Sequence, residues 1–207
     1  MSATLIVMAK APVPGRVKTR LTPPLRPDQA AELAGAALQD TLAAVAGARL
    51  ADRRVLALDG EPGDWLPAGF ELIAQRGDGL AQRLAAAFED VGGPALLVGM
   101  DTPQLTPELL DAGLAGLLNG ADAVFGPAPD GGYWTIGLAR PDRRVFDGVP
   151  MSERHTGAAQ SERLIALGLT THYLPPLRDI DTYDDARSVA AAAPGGRFAA
   201  ALRALAT

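Results

Sequence analysis

Short apolar runs alternate along the chain with longer stretches whose apolar residues recur every three or four positions. Residues 4–7 read as a buried strand. Residues 28–45 predict a helix. Leu33, Ala37, Leu38, Thr41, Leu42 and Val45 share one stripe, and Asp28, Glu32, Gln39 and Asp40 fall off it. Strands are predicted at 54–58 and 71–75, with a Gly/Pro-rich loop holding Trp65 between them. A turn at 76–79 leads into a helix at 80–91, with Asp78 as its expected cap. The run 94–100 is the most apolar strand. Thr106 and Pro107 then suit the N-cap and first position of a helix with Leu110, Gly113, Leu114, Leu117 and Leu118 on its face.

The second half continues in the same way. A strand at 121–127 is followed by a Gly131-Gly132 turn into a strand ending at Leu138. Residues 140–154 read as irregular, 160–167 as helix, 171–174 as strand and 178–182 as loop. Thr182 to Asp185 form a capping-box start for a helix reaching Ala192. An Ala-rich helix at 198–205 is expected to cover the sheet or a neighbouring subunit, which leaves a homodimer open. The pattern predicts an α/β fold: three layers, α/β/α, around a mostly parallel sheet, in one domain over residues 1–207. In such sheets the ligand crevice lies beyond the carboxyl ends of the strands.

Charge singles out one stretch. The chain carries net charge −5, yet residues 8–21, MAKAPVPGRVKTRL, hold Lys10, Arg16, Lys18 and Arg20 and no acid. Lys10 and Lys18 are the only lysines. Pro12, Pro14 and Gly15 shape this loop, and a basic loop after a first strand suits an anion, phosphate first. An acidic chain disfavours non-specific binding of nucleic acid or anionic membrane. The absence of cysteine removes thiolate metal sites and disulfides. No long apolar run and no leader-like start point to a membrane or to export, so a cytoplasmic protein is expected.

Two other charged features fall at strand ends: Asp101 after the 94–100 strand, and Arg178-Asp179-Ile180-Asp181 after a late strand. A carboxylate there beside a basic loop suits Mg2+ (or Mn2+), which takes one or two protein carboxylates and completes its shell with phosphate and water. Asp101 is the first candidate ligand and Asp181 the second, with Asp179 competing for that place. No GxxxxGK[ST] or GxGxxG motif is present, which sets aside P-loop and dinucleotide chemistry. His155 and His172, the only histidines, are too few for a zinc centre.

Gly99-Met100-Asp101-Thr102-Pro103-Gln104-Leu105 has the GxDxPxL pattern of nucleotidyltransferases with the nucleotide-diphospho-sugar transferase (GT-A) fold. The opening MAKAPVPGRVKTRL, the run from Gly126 to Tyr133, Val149-Pro150-Met151-Ser152, and the run from Leu174 to Thr182 resemble the bacterial DUF2064 family. That family is similar to 2-phospholactate (or phosphoenolpyruvate) guanylyltransferases and, more distantly, to molybdopterin nucleotidyltransferases. The resemblance implies a transferase that uses an NTP or nucleotide sugar and a small-molecule acceptor. It implies Gly15, Arg16 and Lys18, with Lys10, at the phosphates, and Gln75, Gly79 and Leu80 beside base and ribose. Asp130, Gly131 and Gly132 would approach the acceptor, flanked by Ser152 and His155. Asp101 and Asp181 would bind the metal. Catalysis would fall to Lys18, Arg16 and Asp101.

The sequence departs from its relatives in two ways that bear on chemistry. It lacks the LxAGxGxRM opening of many sugar-nucleotide enzymes. It also has Asp-Thr-Pro at 101–103 where GT-A glycosyltransferases have DxD, which favours nucleotidyl over glycosyl transfer. Met151 stands where the family usually has an aromatic residue.

Overall fold

A computed structural model describes residues 2–205. The strands are β1 (Thr4–Lys10), β2 (Arg53–Asp59), β3 (Glu71–Ala74), β4 (Ala95–Gly99), β5 (Ala123–Pro127), β6 (Tyr133–Leu138) and β7 (Thr171–Tyr173). The helices are α1 (Pro27–Gly47), α2 (Leu80–Val91), α3 (Pro107–Leu118), α4 (Thr156–Ala166), α5 (Tyr183–Ala192) and α6 (Arg197–Leu205). The strands form one sheet in the order β3-β2-β1-β4-β6-β5-β7. Only β6 runs against its neighbours, β4 and β5; the other pairs are parallel. The expected α/β, mostly parallel sheet is the fold observed.

Strand alternation builds the layers. Leu5 and Val7 of β1 face one core with Leu38, Leu42 and Val45 of α1 and Leu110 and Leu114 of α3. Ile6 and Met8 face the other, with Leu84 and Phe88 of α2 and Leu164 of α4. A third cluster lies outside the sheet layers. Leu33 and Ala37, on the outer side of α1, pack there with Leu21, Ile180, Val189 of α5, and Phe198 and Leu202 of α6. The last helix therefore covers α1 rather than the sheet. The Asp40 carboxylate fixes it there, accepting from the Arg197 and Phe198 N–H groups at 3.0 and 2.9 Å.

Three boundaries differ from the sequence reading. β1 runs on through Lys10, paired Lys10 to Asp59, so the basic loop begins at Ala11 and not at Met8. α2 is capped by Gly79 without a side-chain bond, and Asp78 instead donates its N–H to the Gln82 side chain. Gly77 and Gly79, at φ 114° and 83°, make that entry. α4 starts at Thr156, four residues before the predicted helix. Its small first turn, Thr-Gly-Ala-Ala, shows no apolar period, and the Thr156 hydroxyl accepts from the Glu153 N–H at 2.9 Å.

Candidate functional site

The carboxyl ends of β1 and β4 open on a cleft of about 1300 Å³. The basic loop forms one wall. Val17 and Leu21 are buried, and this pins the loop while Arg16 before them and Lys18 and Arg20 between them line the cleft. Against it lies the 178–182 loop, pinned by buried Ile180, whose N–H donates to the Asp101 carbonyl at 3.0 Å. Lys18 Nζ lies 2.8 Å from Asp101 Oδ2 and also donates to the Ile180 carbonyl. Arg20 pairs with Asp181 at 2.6 Å. The second oxygen of Asp101, Oδ1, is buried and has no hydrogen-bond partner.

Asp179 separates from its competitor Asp181 here. Burial, then the Asp130 charge, pushes its carboxyl up to about 6; Asp101 adds to the rise and Lys18 opposes it. The folded state thus keeps a proton that the unfolded chain releases near 3.8. Folding stability therefore falls as the pH rises through that window. Asp179→Asn should raise stability at about pH 7.5 by about 1–2 kcal/mol, less than a fully desolvated shift would give, and have almost no effect at about pH 2.5, where the carboxyl is protonated in both states. Thermal melts in metal-free buffer at the two pH values check this. Equal gains at both would remove charge as the cause.

Most of the residues singled out in the sequence meet at the cleft. Lys10, Arg16, Lys18, Gln75, Gly79, Leu80, Asp101, Asp130, Gly132, Ser152 and Asp181 all line it. Gly15, Gly131 and His155 do not. The exposed His155 ring stands 3.3 Å from the Glu153 carboxylate. Gln75 is engaged elsewhere: its amide donates to the Ala9 and Ala57 carbonyls at 2.8 and 2.9 Å, closing the ends of β1 and β2. The group that Gln75 offers the cleft is its neighbour Arg83, held by Asp59 at 2.9 Å. Arg83, the one base on α2, was missed because its helical face reads as solvent.

The Gly131 and Gly132 N–H groups of the Gly-Gly turn are both taken within the chain. Gly131 donates to the Ala128 carbonyl at 3.1 Å and Gly132 to Asp130 Oδ1 at 2.9 Å. The turn instead docks on the first turn of α4, where the Gly157 N–H donates to the Gly131 carbonyl at 2.7 Å. What it presents to the cleft is the Asp130 carboxylate. Trp134 is buried, its indole donating to the Pro175 carbonyl at 3.0 Å, and so belongs to the core. Among the described residues, only Lys18 (φ 48°) and Ser152 (φ 63°) are non-glycines in the left-handed region, and both line the cleft. Such strain persists where surrounding packing enforces it, which is common at functional sites.

Residues 32–153 match the profile of the family described as "Uncharacterized protein conserved in bacteria (DUF2064)". The chain belongs to the DUF2064 family. A Desulfovibrio desulfuricans protein described as a nucleotide-diphospho-sugar transferase is 30% identical to this DUF2064 chain. Its structure covers 98% of this chain and 95% of its own, at a TM-score of 0.86. Two more distant structures share the fold. CMP:2-keto-3-deoxy-manno-octonic acid synthetase complexed with CTP is 14% identical, over 94% of this chain and 99% of its own, at TM-score 0.62. The manganese complex of Rv0371C from Mycobacterium tuberculosis is 21% identical, over 91% and 98%, at TM-score 0.50. No curated protein sequence matches this chain. Among the described residues no helix is long and apolar enough to cross a membrane.

Proposed function

We propose that this DUF2064 protein is a nucleotidyltransferase. It would move an NMP from an NTP to a hydroxyl or phosphate oxygen of a small acceptor and release pyrophosphate. The observation that carries this is the convergence of Lys10, Arg16 and Lys18, from one strand end and one loop, on the cleft that Asp101 enters from β4. An acceptor oxygen would attack the α-phosphorus while the bond to the β-phosphate breaks. Lys10, Arg16 and Lys18 would take up the charge that develops on the departing pyrophosphate. Phosphoryl chemistry of this kind depends on alignment and charge stabilisation. The absence of a second acid at 103, where Pro103 stands, supports nucleotidyl over glycosyl transfer.

The donor set suits a divalent cation. Asp101 Oδ1 is a buried carboxylate oxygen without a partner, and the Asp179 carboxyl is raised by burial first and then by the Asp130 charge. Among the described residues no three His, Cys, Asp or Glu side chains group around one metal position. Mg2+ at a nucleotide site needs only one or two. Asp101 would hold it with Asp179 in preference to Asp181, whose carboxylate already pairs with Arg20. Bound there, a divalent ion would supply charge neutralisation at the phosphates. The manganese complex of the Mycobacterium tuberculosis relative is in keeping with this.

The description of the 30% identical relative favours one second reading, glycosyl transfer from a nucleotide sugar. The products discriminate. NTPs and nucleotide sugars are incubated with small hydroxylated and phosphorylated acceptors in Mg2+. Acceptor-dependent pyrophosphate is the expected product. NDP released from a nucleotide sugar would replace this reading with the second, and NTP binding in calorimetry without turnover would mark a binding module.

A further inference from the structure

Two cations of the basic loop meet the two carboxylates that flank Ile180 in space. Lys18 meets Asp101 and Arg20 meets Asp181. The two contacts differ in burial. The Arg20 side chain is 70% exposed and its pair is a surface one, whereas the Lys18 side chain is only 12% exposed. Lys18 also holds a left-handed backbone to make its contact, fixed by buried Val17 before it. Around its ammonium stand Asp101 Oδ2 and the Ile180 carbonyl. A carboxylate and a carbonyl oxygen are the donors a hard cation takes. The ammonium on Oδ2 and a divalent ion on the same carboxylate therefore repel each other and compete for its charge.

We propose that Lys18 is the internal counter-ion of the Asp101 cation site. A divalent ion reaches Asp101 as Lys18 leaves it, and Lys18 leaves when a polyphosphate offers it another anion. The loop thereby couples the two ligands: phosphate draws the lysine away, and the carboxylate it vacates takes the metal. This rests on the proposed assignment of Asp101 to a cation and of the loop to phosphates. Lys18 acts here as a positioning residue for the metal, apart from any role it has on the leaving group.

The test measures Mn2+ binding to the full chain without nucleotide, by the loss of the free Mn2+ signal in electron paramagnetic resonance. Lys18→Met and Lys18→Gln should each bind Mn2+ about tenfold or more tightly than the wild type, because a positive charge in contact with the ligand is gone. The glutamine can still donate to the Ile180 carbonyl, so one of the two variants keeps that tie. Lys18→Arg keeps the charge and should stay within about threefold of the wild type. Adding Asp101→Asn to Lys18→Met should abolish the gain. If neither neutral variant binds Mn2+ more tightly than the wild type, the counter-ion proposal is overturned. If the neutral variants gain affinity but Asp101→Asn leaves that gain intact, the cation is not on Asp101, and the metal assignment falls with the proposal.

Discussion

Asp101→Asn should lower acceptor-dependent pyrophosphate release by about 10²–10³-fold, the range seen when one preorganised charge-stabilising group is removed. The change is nearly isosteric. The bond that docks the late loop runs from the Ile180 N–H to the Asp101 main-chain carbonyl, which the substitution leaves alone. Lys18 keeps its bond to the Ile180 carbonyl. The fold should therefore survive, and circular-dichroism melts should show a shift of at most a few degrees. Steady-state rates with an acceptor that supports wild-type turnover are the measurement. A variant that keeps more than about a third of the wild-type rate would remove Asp101 from the chemistry.

The largest expected effect on stability lies at Gly131. Its φ of 95° strains any other residue, and a Cβ there would sit 1.7 Å from the Arg154 carbonyl oxygen. No side-chain rotation relieves that clash, because the backbone fixes the Cβ and its partner is a main-chain oxygen. Gly131→Ala should cost about 3 kcal/mol or more, combining left-handed strain with displacement of the turn. For a chain of this length that is a fall of about 6–12 °C in Tm. Gly120→Ala separates the two causes: φ there is 103° but nothing lies within 4 Å of the added carbon. It should cost about 1–2 kcal/mol. Equal losses in the two variants would mean that the contact with Arg154 contributes nothing. Gly131→Ala should also impair turnover, since the same turn carries Asp130 and abuts the segment holding Ser152.

Much of this arrangement can be read from the chain, for identifiable reasons. The alternation of apolar runs and stripes predicts the layers because each element must bury one face. Asp101 could be found as an acid following the most apolar strand, and the structure puts it at that strand's carboxyl end. The antiparallel course of β6 is implicit in the five residues between it and β5, too few for a crossover. Its place between β4 and β5 depends on pairing with residues some forty positions away, which no local pattern records.

Other features depend on partners distant in sequence. Gln75 looks like a free polar tip, and only the assembled sheet shows the carbonyls of Ala9 and Ala57 that use it. The Gly-Gly turn reads as an open backbone nest until Arg154 and Gly157 close over it. Asp179 and Asp181 are equivalent by alternation along the chain. They differ because Arg20 reaches one, while burial and then the Asp130 charge bear on the other.

The third apolar cluster bears on how this protein can be engineered. Leu21 and Ile180, the anchors of two adjoining loops that line the cleft, share it with Phe198 and Leu202 of α6. A helix that does not line the cleft is thus the common footing of two loops that do. Trimming α6, or packing a fusion partner against it, would alter the spacing between Lys18 and Asp101 from behind.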